Sequence, residues 1–291
     1  MTHAERQGLI AGLLAVACWA GFVLVSRAGG RSPLTPWDIM AIRFGVGSLL
    51  LLPFLRPGRW WLNRRGLTLA LVGGVGYGLA VYQGFRLTSA VHAAVMLPGL
   101  IPFGAALFAA LMLGDRPSPL RWLGLAAIAA GGVLMLASTG GHGDPLGDLW
   151  LLAAVLCWSL YTVLARRWQV PAWTGAITTA LWSAVLFLPL YLLWLPGNLG
   201  AATVGDIALQ AVYQGLIATV LAMLLYLGAV TRIGPAAVGA LMALVPVVSG
   251  VLAVPVLGES LSATEALALA VTSLGAVLAS GLLRRRRQAV L

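Results

Sequence analysis

Residues Ala15–Arg27 read AVACWAGFVLVSR, and residues Ala154–Arg166 read AVLCWSLYTVLAR. Cys18 and Cys157 in these copies lie 139 positions apart, nearly half of the 291-residue chain. A second set of echoes follows at an offset of 144: Val81–Gly84 (VYQG) with Leu225–Gly228 (LYLG), Pro102 with Pro246, Gly114-Asp115 with Gly258-Glu259, and Val133-Leu134 with Val277-Leu278. The chain is therefore an internal duplication, and duplication inside an apolar chain is a signature of transporters.

Composition places the duplicated units in a membrane. The chain is 60% hydrophobic and 9% charged, with a mean hydropathy of +0.97; a soluble domain carries about 25% charged residues. All 18 basic residues are arginine. A pI near 11 raises the question of nucleic acid, but the arginines stand between apolar runs and no basic, aromatic-studded soluble segment is present. The Walker-type phosphate loop requires lysine, so it is excluded. Cys18 and Cys157 sit at equivalent repeat positions inside apolar runs, where they read as small packing residues; no disulfide, metal site or cofactor is expected. The short polar start MTHAERQ precedes an apolar run without a cleavage pattern, which reads as a retained first helix.

Punctuation by Pro, Gly, Arg and Asp divides the chain into ten apolar spans, at about 8–27, 36–55, 66–86, 91–113, 119–138, 147–166, 173–195, 206–230, 236–257 and 263–283. The segment 139–146 reads as the joint between halves, giving units of 1–140 and 141–291. With the N-terminus inside, fourteen arginines fall on the inner side, including Arg6, Arg64, Arg65, Arg166, Arg167 and Arg284–Arg287, and three (Arg27, Arg31, Arg86) on the outer. That bias puts both termini in the cytoplasm. Five spans per unit is an odd number, so the second unit is expected upside down relative to the first. The fold class is thus an all-α membrane protein of ten transmembrane helices in two inverted five-helix repeats, with alternating access at a site between them.

The Cys-Trp segment opening each half, Arg43-Phe44 in the second span, the proline-bearing fourth span (LPGLIP, Leu97–Pro102) and the Gly-Asp or Gly-Glu that ends it together resemble the EamA-type members of the drug/metabolite transporter superfamily. Within it the chain is most similar to the YddG-type amino-acid exporters. The resemblance covers nearly the whole chain. It implies a central cavity surrounded by helices 1–4 and 6–9, with helices 5 and 10 at the periphery, and export of amino acids or other small metabolites without ATP.

All eight carboxylates (Glu5, Asp38, Asp115, Asp144, Asp148, Asp206, Glu259, Glu265) fall in loops or at span ends. A cation exporter or proton relay usually places such a group at membrane depth. Their position therefore predicts a net-neutral substrate, a zwitterionic amino acid, moved by facilitation or by coupling through His92 at most. The expected substrate-binding residues are Trp19, Phe22, Trp158 and Tyr161 on equivalent aromatic faces; Tyr77, Tyr82 and Tyr213 as hydroxyl bearers; His92 and Met96 on one face of helix 4; and Met242. Pro98, Pro102 and Pro246 are the expected hinge or gate, since proline removes backbone donors and frees carbonyls.

For each side chain a packing role competes with the binding role. His92, near a span end, is open to a solvated reading. Arg43 is expected to snorkel outward along its aliphatic stem, the alternative being contact with a substrate carboxylate. Trp60, Trp61, Trp150 and Trp173 read as interface anchors. Gly73, Gly74, Gly131-Gly132 and Gly275 read as points of close helix approach. The Arg284–Arg287 run reads as a lipid anchor. The expected partners are a small-molecule substrate and the lipid bilayer, with no nucleic acid, and the protein is read as a monomer of the bacterial inner membrane. Broad export of nucleosides or other uncharged metabolites is the alternative function. An intramembrane enzyme is disfavoured, because one embedded histidine without an embedded acid lacks a catalytic set.

Overall fold

Residues 2–55, 63–138 and 144–282 are described by the computed structural model of the chain. Trp60, Trp61, His142, the Arg284–Arg287 run and most of the expected joint lie outside these residues. Among the described residues every regular element is helical. Eight helices have the length and composition to cross a membrane: α1 (His3–Arg31), α2 (Pro36–Phe54), α3 (Arg64–Leu87), α4 (Ala90–Leu113), α5 (Pro119–Leu136), α6 (Pro145–Arg167), α7 (Ala172–Leu193) and α8 (Val204–Met242). Two shorter apolar helices follow, α9 (Leu244–Leu257) and α10 (Ala263–Ala279). The outward surface carries large aliphatic side chains, with Leu49 70%, Leu111 73% and Leu192 78% exposed. Such a surface belongs in hydrocarbon, not water. The chain is a multi-pass membrane protein.

Helix starts are written in capping residues. Thr2, Thr35, Thr203 and Ser262 each accept from the third helical N–H, while Glu5, Asp38, Asp206 and Glu265 reach back to the cap backbone. Pro36, Pro119 and Pro145 occupy first-turn positions, where a missing N–H costs nothing. The Thr2 box begins α1 five residues earlier than its apolar run. Two helix ends are matched: α4 stops at Gly114 (φ 68°) and α9 at Gly258 (φ 64°). The following N–H, of Asp115 or Glu259, turns back to Ala109 O or Ala253 O, at 3.3 Å in each case. The left-handed turn admits glycine without strain.

The eighth span departs from expectation. α8 covers 39 residues, about 58 Å if straight and twice the hydrocarbon thickness. Gly234, with φ 81° and ψ 160°, breaks its path, and Pro235 starts the next segment. The change of direction thus falls inside the expected gap, while a second interruption at Ala243 divides what was expected as a single ninth span.

Three stretches widen to the i→i+5 pattern: Leu71–Gly76 in α3, Val95–Gly99 in α4 and Ala211–Leu221 in α8. Shifted by 144 positions, 71–76 falls on 215–220, inside the third stretch. Such widened turns collect at functional places in helices.

α5 and α10 pack against each other at backbone distance. A Cβ on Gly275 would lie 2.7 Å from Gly124 O and 2.8 Å from Ile128 N. Backbone cannot yield as a side chain can. Gly275→Val is therefore expected to destabilise the protein by about 2–3 kcal/mol, lowering its thermal unfolding temperature in detergent. Gly45→Ala, whose new methyl would meet nothing within 4 Å, should leave that temperature unchanged or slightly raised; equal effects would refute the close-packing account.

Candidate functional site

Mid-way along α2, α3 and α8, and against α6 and α7, the helices line a cavity of about 70 Å³. Its walls are Arg43 and Phe44 of α2, Gly73, Gly74 and Tyr77 of α3, Trp158 and Tyr161 of α6, Ala176, Thr179 and Ala180 of α7, and Ala218, Thr219 and Met223 of α8. Both i→i+5 stretches of α3 and α8 contribute. At roughly 30 Å³ per water, the space takes about two waters, so admitting a solute requires these walls to part.

The aromatic wall is continuous. Tyr77 and Trp158 stand with ring centroids 5.0 Å apart, and Trp158 and Tyr161 5.2 Å apart. Arg43 faces them. Its guanidinium donates to Tyr82 Oη at 3.1 Å and lies 5.5 Å from the Phe22 ring centroid and 5.9 Å from that of Tyr77. Cation–ring contacts of this kind contribute about 0.5–2 kcal/mol each. The expected snorkelling of Arg43 is thereby corrected: Tyr82 draws the guanidinium inward, and the reach of the side chain to the interface is not used. Among the described residues, no carboxylate lies within ion-pair distance of Arg43.

The Tyr82 hydroxyl passes the interaction on, donating to Gln214 Oε1 at 2.9 Å. Gln214 Nε2 donates to Ser26 Oγ at 3.0 Å and to Gln210 Oε1 at 3.1 Å, and Gln210 Nε2 donates to Val25 O at 2.9 Å. Tyr82, Gln214, Gln210 and Ser26 are all buried. One polar chain therefore links α2, α3, α8 and α1, and each member has a partner, which buried polar groups require.

The expected site residues separate into groups. Tyr77, Trp158 and Tyr161 line the cavity, while Phe22 and Tyr82 hold Arg43 from behind. Trp19 packs on Tyr226 at 5.4 Å, and Tyr213 donates to Cys18 O at 3.1 Å. Met96 is fully buried and Met242 half-buried, neither on the cavity wall. Pro98 lies in the widened stretch of α4, Pro102 in the first turn after it, and Pro246 is buried in α9. Of the expected interface tryptophans, Trp150 packs half-buried on the main core, and Trp173 meets Phe54 edge-on at 5.9 Å. Phe44, Thr179, Thr219 and Met223 complete the wall without having been expected as site residues.

His92 stands elsewhere, in the first turn of α4. It is 3% exposed, so the solvated reading is corrected. Its Nδ1 lies 3.0 Å from Asp148 Oδ2, and its Nε2 lies 3.1 Å from Ser138 Oγ and 3.4 Å from Glu265 Oε1. Thr88 Oγ1 donates to the other oxygen of Asp148 at 3.0 Å. Beside this cluster Glu259 accepts from Ala90 N and Val91 N, both at 3.1 Å, and pairs with Arg31 at 2.9 Å and Arg27 at 3.4 Å. Asp38, Asp148, Glu259 and Glu265 are all buried. The acids sit at helix ends, as expected, and there neighbouring helix ends roof these carboxylates and helix N-termini receive them.

The opposite end of α4, about 36 Å away, carries a contrasting pair. Asp115 and Arg166 form a two-pronged ion pair with side chains 27% and 62% exposed. The hydrogen bond from Arg166 holds the Asp115 carboxyl below its ordinary range.

Comparison with known proteins fits this architecture. The model of the EamA-like transporter family matches residues 6–137 and again residues 145–281. The chain belongs to the EamA-like transporter family. The cavity draws α2 and α3 from the first copy and α6, α7 and α8 from the second. Among relatives of this EamA-like protein, the uncharacterized transporter YdeK of Bacillus subtilis (strain 168) is 31% identical over 196 residues, 64% of each chain. The threonine/homoserine exporter RhtA of Escherichia coli (strain K12) is 27% identical over 247 residues, 84% of this chain and 80% of RhtA. The uncharacterized inner membrane transporter YedA of the same strain is 29% identical over 275 residues, 89% of this chain and 86% of YedA. A crystal structure at 25% identity superposes with a TM-score of 0.65 over 97% of this chain and 99% of the other.

The two ends of α4 should respond differently to loss of charge. Glu259→Gln strands Arg27 and Arg31 beside a neutral amide and is expected to cost on the order of 3 kcal/mol, read by thermal or denaturant unfolding. Asp115→Asn should change little, because an exposed pair is solvent-screened. With its pKa lowered from 3.8, Asp115 contributes its small share fully above that pH and loses it only as pH falls through the lowered value, so between pH 5 and 8 the contribution is flat. Equal losses for the two variants would refute the distinction.

Proposed function

We propose that this EamA-like protein is a secondary transporter that exports neutral amino acids, aromatic or otherwise apolar or small, across the bacterial inner membrane. Transport proceeds by alternating access between two inverted five-helix repeats, with both termini cytoplasmic. The observation that carries the reading is the small cavity half-way along the helices, walled by helices of both family copies and bearing a cation beside an aromatic face. An apolar side chain fits against Tyr77, Trp158 and Tyr161, while polar atoms meet Arg43, Thr179 and Thr219. The match to a threonine/homoserine exporter across most of both chains supports the substrate class.

Helix parity supports the inverted arrangement. Five apolar helices precede the expected joint and five follow it, and the paired glycine turns at Gly114 and Gly258 fall at opposite ends of the bundle. Widened turns at matching places in α3 and α8 give each copy a deformable wall. The sequence reading of facilitation, or of coupling through His92 at most, rests on the acids lying in loops or at span ends, and Asp148 and Glu265 do lie in first turns. Their burial against His92 makes the driving force an experimental variable.

The test is uptake of labelled threonine, phenylalanine and methionine into liposomes carrying the purified protein, with and without an imposed proton gradient. Saturable uptake of at least one of them above protein-free liposomes is expected. Absence of uptake of all three under both conditions, in protein shown to be folded, would overturn the amino-acid reading; inhibition trials with nucleosides would then follow.

A further inference from the structure

We infer that Arg43 recognises a carboxylate, and that the cavity selects apolar monocarboxylates whether or not they carry an ammonium group. The inference rests on the transport reading above and deepens it. Among the described residues the cavity wall holds one full charge, the Arg43 guanidinium. No aspartate or glutamate occurs in α3, in α2 beyond Asp38, in α6 beyond Asp148, in α7, or in α8 beyond Asp206. Those three acids sit in first turns, where Asp38 and Asp206 cap their own helices and Asp148 is engaged by His92 and Thr88. A substrate ammonium entering the cavity therefore finds no anionic side chain, and meets the same sign of charge on Arg43.

A carboxylate finds the reverse. A guanidinium carries five N–H donors in a planar fork that matches two carboxylate oxygens. Tyr82 takes Nη1 of Arg43 and is itself fixed by Gln214, which bonds Ser26. Arg43 lines the cavity and its Nη1 is already fixed by Tyr82, so the side chain has less freedom left to lose on binding. Phe22 and Tyr77 offer ring faces to the cation but no acceptor oxygen charge. A monoanion brings the cavity to neutrality, the favourable state for a buried site. Trp158 and Tyr161 then accept the apolar remainder.

The experiment measures competition against labelled phenylalanine uptake in proteoliposomes. N-acetylphenylalanine keeps the carboxylate without the ammonium; phenethylamine and phenylalaninamide keep the ammonium without the carboxylate. N-acetylphenylalanine should compete at least as well as phenylalanine, and the two amines should not compete at equal concentration. Arg43→Gln retains a donor for Tyr82 and should weaken the carboxylates about 10- to 100-fold. Arg43→Lys should recover part of that loss, since it restores the charge without the fork. Unfolding temperature and elution volume verify that each variant is folded.

Amines that compete as well as the acids, or unchanged affinity in folded Arg43→Gln, would overturn the inference and leave the exporter reading standing. If the natural protein takes up no amino acid, the exporter reading fails, and equilibrium binding of labelled N-acetylphenylalanine to purified protein still decides. Binding that Arg43→Gln abolishes would support carboxylate recognition; no binding would overturn it.

Discussion

A guanidinium half-way along a membrane helix has to be held by the protein, because hydrocarbon offers it nothing. Arg43 is held by Tyr82, and Tyr82 by Gln214, and that dependence ties α2 to α3, α8 and α1. The helices themselves are interchangeable apolar cylinders; lipid solvates one as well as another, so burial alone gives them little reason to choose neighbours. The polar chain supplies the choice. It also holds the Arg43 guanidinium at the edge of the small space that Tyr77, Trp158 and Tyr161 line, so one member of the packing network faces the cavity.

The ends of the bundle obey the same rule in different chemistry. Every helix terminus leaves backbone groups unpaired, and burying a terminus requires a partner for each. Glu259 accepts from the first N–H groups of α4 and also pairs with Arg27 and Arg31, so one carboxylate closes a helix end and bridges two cations. Asp38 does similar work for α2, bonding Thr35, Tyr191 and the backbone of Asn198. At the Asp115 end the corresponding glycine turn has its acid in an exposed pair. The two ends of the molecule thus share a backbone motif and differ in how deeply the attached charge is buried.

Much of this was legible in the residues. Apolar runs punctuated by proline and glycine located the helices to within a few positions, because Pro36, Pro119, Pro145, Gly114 and Gly258 act through local backbone geometry that needs no tertiary context. The glycines of α5 and α10 read correctly as contact points for the same reason. The Cys-Trp repeat and the Arg-Phe pair led to the family. What was not legible is direction. A sequence places Arg43 two turns into a helix but does not say whether its long side chain runs outward or inward; Tyr82, 39 residues away, decides that. Nor does it say that a helix end is roofed. Glu265 looks like an ordinary cap, and its meeting with His92 depends on α4 and α10 converging from distant parts of the chain. The widened turns escaped notice because glycine-rich and plain apolar stretches both adopt them.

The widened turn at Leu71–Gly76 has a consequence for how this protein can change over evolutionary time. Each residue of an α-helix advances the chain by about 100°, so one residue taken up in a wide turn sets the angular phase of everything after it. Tyr77 and Tyr82 point at Arg43 because that phase is correct. Removing one residue from the stretch would rotate the rest of α3 about its own axis, and both hydroxyls would turn away with their identities intact. The lipid-facing positions of α3 can exchange one aliphatic side chain for another, but its length is locked: the helix works as a keyed shaft, tolerant of surface wear and intolerant of a missing tooth.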